Sequence, residues 1–209
     1  MTEVYVFDRG EGELPPELLR HLPRWRREKG ERLRRPEARQ ESLSAGIILG
    51  YAMEKRGIAP EEPVTWRPAG KPVFANRAEW FSLSHSGRYA MCALGESAVG
   101  ADVQEMRRVK LSIARRFHPR EQAWLEQLSP EERPEAFFRL WARKEAWVKA
   151  VSDEKMRALS EVDVIHPLPE YQFRDYALPF GYRAAVCARG ELPPAPILVT
   201  RERLLELWR

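Results

Sequence analysis

Cysteine is nearly absent from the chain. Cys92 and Cys187 are the only two in 209 residues. Both sit inside apolar, strand-like runs, which excludes a disulfide framework and a cysteine-built metal site and marks them as reduced core side chains. No apolar run approaches the ~20 residues that span a bilayer, and the opening "MTEVYVFDRG" lacks the pattern of a secretory leader. A cytoplasmic protein without a membrane partner is therefore expected. The four histidines, His21, His85, His118 and His166, are scattered without metal-ligand spacing. There is no Walker loop, no GxGxxG, no GxSxG elbow and no CxxC pair, so P-loop, dinucleotide-binding and nucleophile-elbow chemistries have no foothold. Lysine is scarce as well: seven of the 35 basic residues, with Lys29, Lys71, Lys144 and Lys149 falling at positions of interest below.

What is present begins with 44% hydrophobic and 32% charged residues, the mixture of a globular protein long enough to bury a real core. Seventeen prolines argue against long uninterrupted helices. The net charge of +4 favours an anionic partner, and most of the excess lies in "RHLPRWRREKGERLRRPEAR", Arg20 to Arg39. That run is either a solvated helix face or a phosphate-binding one, and its composition alone leaves both open.

Residues 1–10 read as a first strand, followed by the basic helix and a buried helix, "ESLSAGIILGYAMEKRG", closed at Gly57. "PVTWRPAGKPVFA" reads as strand and turn. "WFSLSHSG", "RYAMCALGE" and "AVGADVQEM" read as three strands of an antiparallel meander. In the second half "LSIARRF" and "PREQAWLEQL" are helical patterns, and "PEAFFRLWARKEAWVKAV" is the strongest helix. "VDVIHPL", "YQFRDYAL" and "GYRAAVCARGE" are strand patterns. "CALGE" and "CARGE" each end a strand, 95 residues apart, and "SLSA" matches "RLWA" at an offset of 97. The expected fold class is thus α+β. It has two pseudo-twofold-related halves, residues 1–103 and 104–209, each a long helix packed on a small antiparallel sheet, with a ligand cleft between them.

Three stretches carry chemistry. On the long helix, Phe137, Leu140, Trp141, Val148 and Val151 form an apolar stripe with Lys144 in its middle, while Glu145 and Lys149, four apart, lie along its edge. A lysine centred on a core face needs an anion. On "VGADVQEM", Asp102 and Gln104 share one strand face and Ala101 and Val103 the other. An acid on a buried strand makes sense facing a cation, and Asp102 with Glu145 offers the hard oxygen ligands that Mg²⁺ prefers. In "FSLSHSG", Phe81 and Leu83 look like one buried strand face. Ser84 and His85, being adjacent on a strand, point apart and make a poor catalytic dyad.

"GKP" (Gly70 to Pro72), "FSLSHSG", "VGADVQ" and "LWARKEAWVK", in that order and spacing, resemble the signature blocks of the 4′-phosphopantetheinyl transferases, of the two-halved monomeric type that activates peptide synthetases. The resemblance implies a monomer that binds coenzyme A with Mg²⁺, or Mn²⁺, between its halves. Such enzymes transfer the phosphopantetheine arm to a serine of an acyl or peptidyl carrier protein and release adenosine 3′,5′-bisphosphate. Carried over, it makes Asp102, Gln104 and Glu145 the metal site, and Asp102, Glu145 and Lys149 the catalytic group. Ser84 and His85 fall at the coenzyme A phosphates, where His85 contributes charge when protonated. Lys71 and Pro72 fall beside the nucleotide, and Arg26 and Lys29 at the 3′-phosphate. Lys144 reaches the diphosphate oxygens or pairs with a buried acid. Carrier proteins of this kind are acidic, so Trp124, Arg115, Arg116 and Phe117 are expected to dock one.

Three positions depart from the family pattern. Gln104 stands where a second acid is usual. Glu41 stands where an arginine often precedes the small residue of the buried helix, with Arg39 the nearest substitute. The segment after Lys149, "AVSDEKMRALSE", has no glycine. Two other readings remain on the sequence: a degenerate member that binds coenzyme A or a carrier without transfer, and a basic nucleic-acid-binding module. The second leaves Asp102, Glu145 and Lys149 unexplained, so no nucleic-acid partner is expected.

Overall fold

The computed structural model describes residues 1–107, 111–151, 157–166 and 169–209. Strand β1 (Glu3–Asp8) is followed by a 3-10 turn (Leu18–His21) and helices α1 (Arg24–Glu31) and α2 (Pro36–Lys55). The basic run is therefore not one helix, and Pro36 is the reason for the restart. Proline lacks the N–H and disfavours helical backbone in the residue before it, so Arg35 is extended and Pro36 opens α2. Strands β2 (Val64–Trp66), β3 (Pro72–Phe74), β4 (Trp80–Ser86), β5 (Tyr89–Gly95) and β6 (Val99–Glu105) come next. Helices α3 (Pro119–Gln127) and α4 (Arg133–Val151), strands β7 (Gln172–Leu178), β8 (Tyr182–Ala188) and β9 (Ile197–Thr200), and helix α5 (Arg201–Leu207) complete the order. The fold is mixed α+β, as the pattern predicts.

One sheet has the order β4-β5-β1-β9, another β6-β8-β7, and β2 and β3 form a small ribbon. The hydrophobic residues of α2 pack with Tyr5, Phe7, Phe81, Cys92 and Leu94 of the first sheet. Those of α4 pack with Ala185 and Cys187 of the second. A third cluster, Val4, Val6, Met91, Val99, Ala101, Val103 and Val186 among others, fills the space between the sheets. Alternation of side chains along β1 explains this: Tyr5 and Phe7 face α2 while Val4 and Val6 face the second sheet.

Two further expectations change. The meander does not continue into β6, because the free side of β5 is already paired with β1, and β6 pairs antiparallel with β8 instead. Leu111–Arg116 is helical as the pattern predicts, in the tighter 3-10 form. The described part of "VDVIHPL", residues 162–166, is irregular rather than a strand. All of β6 belongs to the second sheet, and β9 returns to pair in parallel with β1. Among the described residues no helix is long and apolar enough to cross a membrane.

Candidate active site

The site begins with a missing side chain. A Cβ on Gly100 would lie 1.8 Å from the Ala146 carbonyl oxygen and 2.6 Å from the Ala150 nitrogen. Only glycine lets the backbone of α4 touch β6. Glu145 and Lys149, on either side of Ala146 in the helix, are thereby brought close to Asp102, two residues further along the strand. Lys149 Nζ donates to Asp102 Oδ1 at 2.7 Å and to the Ala101 carbonyl at 3.0 Å. Asp102 is 2% exposed and its other oxygen, Oδ2, accepts from Gln104 Nε2 at 2.7 Å. Burial first, and the nearby Asp102 charge second, hold the Glu145 carboxyl above its usual range, with Lys149 opposing. The two carboxylates, 43 positions apart in sequence, thus feel one another in the folded chain.

Strand β4 supplies the opposite wall. Its serines repeat at the strand period and all turn toward β6. Ser82 Oγ accepts from Ala101 N–H at 2.9 Å, Ser84 Oγ from Val103 N–H at 3.2 Å and Ser86 Oγ from Glu105 N–H at 3.1 Å. β4 and β6 are both edge strands, and three hydroxyls satisfy the edge amides that no neighbouring strand reaches. The Ser84 hydroxyl hydrogen completes the arrangement by donating to Asp102 Oδ1 at 2.8 Å. Ser84 is therefore engaged with Asp102 and the β6 backbone. His85, pointing the other way, has its Nδ1 3.2 Å from Glu41 Oε2.

Between these walls lies a cavity of about 280 Å³, lined by Arg26 and Lys29 of α1, Gly70, Lys71 and Pro72, Leu83 and His85 of β4, and Glu145, Val148 and Lys149 of α4. Arg26 is 4% exposed; its guanidinium donates to the Ser42 carbonyl and lies 5.2 Å from the Trp25 ring centre. Its Nε has no hydrogen-bond partner among the described residues. Burial pushes Arg26 down to about 10, and burial and then the Arg26 charge push Lys29 below its usual range. Two adjacent cations without a carboxylate partner among the described residues have the chemistry of an anion site. Lys71 Nζ donates to the Val99 carbonyl at 2.9 Å and lies over the Trp80 ring. A larger hollow of about 1100 Å³, bordered by Arg20, His21, Arg24, Arg27, Glu28 and Glu54, mixes both charge signs and lacks the acid–lysine group. Convergent chemistry, not size, marks the smaller one.

Two sequence-based assignments are corrected. Lys144 does not reach the cavity. It is fully buried on the opposite side of α4, paired with Glu121 at 2.6 Å and donating to the carbonyls of Leu159 and Val162 at 2.6 and 2.8 Å. Burial lowers its proton affinity and Glu121 opposes the change. Phe117 is 1% exposed and stacked on Phe137, so it docks nothing; its neighbours Arg115 and Arg116 are exposed, and Trp124 is half-buried under Arg139. Residues 152–156, the centre of the glycine-free segment, lie outside the described residues. The sequence reading missed Ser82 and Ser86, although their period-2 spacing with Ser84 was the available signal. It also gave Glu41 no role, which only its contact with His85 reveals.

The sequence that builds this site is similar to that of known proteins. A profile of the 4′-phosphopantetheinyl transferase superfamily matches residues 98–187, from β6 through α4 to β8. A Synechocystis protein provisionally named a 4′-phosphopantetheinyl transferase is 33% identical over 154 residues, 69% of this chain and 63% of its own length. The 4′-phosphopantetheinyl transferase psf-1 of Bacillus pumilus is 28% identical over 72% of this chain and 71% of its own. Sfp of Bacillus subtilis, also a 4′-phosphopantetheinyl transferase, is 25% identical over 86% of this chain and 88% of its own. The chain is thus similar in sequence to 4′-phosphopantetheinyl transferases over most of its length.

Proposed function

We propose that the chain transfers the 4′-phosphopantetheine arm of coenzyme A to a serine of an apo acyl or peptidyl carrier protein, releasing adenosine 3′,5′-bisphosphate. The observation that carries this reading is the meeting of Asp102, Glu145 and Lys149 at a cavity whose other charges are Arg26, Lys29, Lys71 and His85. The serine oxygen forms a bond to the β-phosphorus as the bond to the bridging oxygen breaks. The leaving group departs with the electron pair, and the serine proton is lost to a base. Little covalent work falls to the protein, so positioning and countercharge dominate. Lys149 supplies countercharge at the diphosphate. Arg26 and Lys29 hold the 3′-phosphate, Lys71 and Pro72 border the nucleotide, and His85 meets a diphosphate oxygen. Ser84 acts on the site through Asp102, whose carboxylate it orients.

Asp102 and Glu145 are the residues that would hold Mg²⁺ or Mn²⁺, with the Gln104 amide beside them. When bound, the ion supplies positive charge to the diphosphate. The donor set fits: the buried Asp102 carboxylate and the half-buried Glu145 carboxylate lie close enough for the first to raise the second's proton affinity, and Asp102 Oδ1 already holds the Lys149 cation. Among the described residues no three His, Cys, Asp or Glu side chains cluster, consistent with Gln104 in place of an acid. A two-carboxylate set leaves the remaining ligand positions to water and phosphate oxygens.

We read the molecule as a cytoplasmic monomer of two pseudo-twofold-related halves, near 1–103 and 104–209. In support, β4-β5-β1 carries α2 and β7-β8-β6 carries α4, with each helix following the first strand of its set and preceding a hairpin. Cys92 on β5 and Cys187 on β8 occupy matching places under the two helices. The test is to incubate the protein with coenzyme A, Mg²⁺ and apo carrier proteins and weigh the carriers intact. A mass gain equal to the arm is expected. Coenzyme A binding with no gain on any carrier would favour the degenerate reading, and tight, salt-sensitive DNA binding would favour the nucleic-acid module.

A further inference from the structure

We infer that Glu41 is a positioning residue for His85, gripping the imidazole with one carboxylate oxygen and the turn that follows it with the other. This deepens, and rests on, the coenzyme A reading of the cavity. Glu41 Oε2 lies 3.2 Å from His85 Nδ1, and Glu41 Oε1 accepts from the Gly87 N–H at 2.9 Å. Glu41 is on α2, and its partners lie 44 and 46 residues away on β4 and the β4–β5 turn, so only the tertiary structure makes the contact.

The turn itself is fixed from other sides. Arg9 Nε donates to the Gly87 carbonyl at 2.9 Å, the Tyr182 hydroxyl accepts from Arg88 N–H at 3.0 Å, and Arg88 is paired with Asp8. Gly87 has a φ of +50°, and a Cβ there would lie 2.4 Å from the Tyr182 hydroxyl. The backbone under His85 is therefore held without Glu41, whereas the described residues offer the ring nitrogens no other partner. A carboxylate on Nδ1 fixes the tautomer and the ring plane, leaving Nε2 to donate to a phosphate oxygen. A carboxylate near a phosphate site would ordinarily repel the ligand. Here Lys149 is set against Asp102, and Arg26 and Lys29 by themselves outnumber Glu145 in the cavity lining, so cationic charge remains in excess even with the Glu41–His85 pair counted as neutral. Arg107 also lies close enough to favour the Glu41 anion.

The experiment measures coenzyme A binding by calorimetry and transfer by steady-state kinetics for the wild type, Glu41→Ala, Glu41→Gln, His85→Ala and the Glu41→Ala/His85→Ala pair, with melting temperatures to verify folding. Glu41→Ala is expected to raise Kd and KM for coenzyme A about tenfold, with a smaller change in kcat. Glu41→Gln keeps an acceptor for the Gly87 amide and a partner for the ring, so part of the affinity should return. On the His85→Ala background, Glu41→Ala should add nothing, because its effect passes through the ring. An equal loss on both backgrounds, or an unchanged KM, overturns the inference. A wild type that fails to bind coenzyme A overturns the functional reading along with it, and the wild-type arm alone reports that.

Discussion

Ser84 and His85 are neighbours in the chain that serve opposite sides of one strand: the hydroxyl goes to Asp102 and the ring to Glu41. Their substitutions should differ accordingly. His85→Ala is expected to weaken coenzyme A binding chiefly, seen as a raised KM, whereas Glu145→Ala should abolish transfer; the reverse pattern in steady-state kinetics would reassign the two. Glu41 also makes a prediction about stability. Its carboxyl is held below the usual range, first by the His85 hydrogen bond and also by the Gly87 amide. The folded chain therefore binds that proton less readily than the unfolded chain. The resulting stabilisation is full above the ordinary carboxylate range and fades as pH falls through it. Melting curves from pH 7 to pH 3 should show the gap between wild type and Glu41→Gln closing on the acid side. At this scale the sequence was legible for residue types: Asp102, Glu145 and Lys149 stood out because an acid on a strand and a Glu–Lys pair on an apolar helix need partners. For Lys144 the sequence showed the need for an anion but not which one, because Glu121 lies 23 positions away and is invisible to helix periodicity.

Elements meet at this site through two devices, a bare glycine and a row of hydroxyls. Gly100→Ala would drive a methyl group into the backbone of α4, which can neither rotate nor yield as a side chain would. The expected loss is about 1–3 kcal/mol or more, measured by urea unfolding, together with loss of transfer as Glu145 and Lys149 move off Asp102. Ser82→Ala leaves the buried Ala101 amide without its acceptor and should cost about 1–3 kcal/mol. It touches neither acid, so an unchanged stability would show that the hydroxyl row does not hold β4 to β6. Sequence patterns located β4, β5, β6, α4 and β8 well, because alternation and helical periodicity are local properties. They misassigned the partner of β6, because a strand's sequence does not say which edge is still unpaired.

Across the whole molecule, Lys144 and Glu121 fasten the segment after α4 back onto it. Glu121 accepts from the amides of His118 and Val164 while Lys144 holds the carbonyls of Leu159 and Val162. Removing one member of a fully buried pair strands the other charge, and Lys144→Met should cost about 3–5 kcal/mol. Adding Glu121→Gln should restore part of that in denaturant melts, since the isolated anion is gone. The C-terminus closes the molecule in the other direction: β9 lies parallel to β1, and Leu204 and Trp208 pack with the α2 cluster. No pattern in "PAPILVTRERLLELWR" announced this, because a four-residue strand and a seven-residue helix acquire their identity only from the core that receives them.

The amino-acid sequence by itself determined the α+β class, the long helix, and the acids and lysines that stand out as candidates. Each of these is written in local periodicity or in the rarity of a charge on an apolar face. Tertiary structure alone decided that Lys149 meets Asp102, that Ser84 serves that carboxylate, that Lys144 is a buried fastener and that Glu41 holds His85. Those contacts join residues dozens of positions apart, and their existence depends on how closely two backbones can approach, which no single segment encodes.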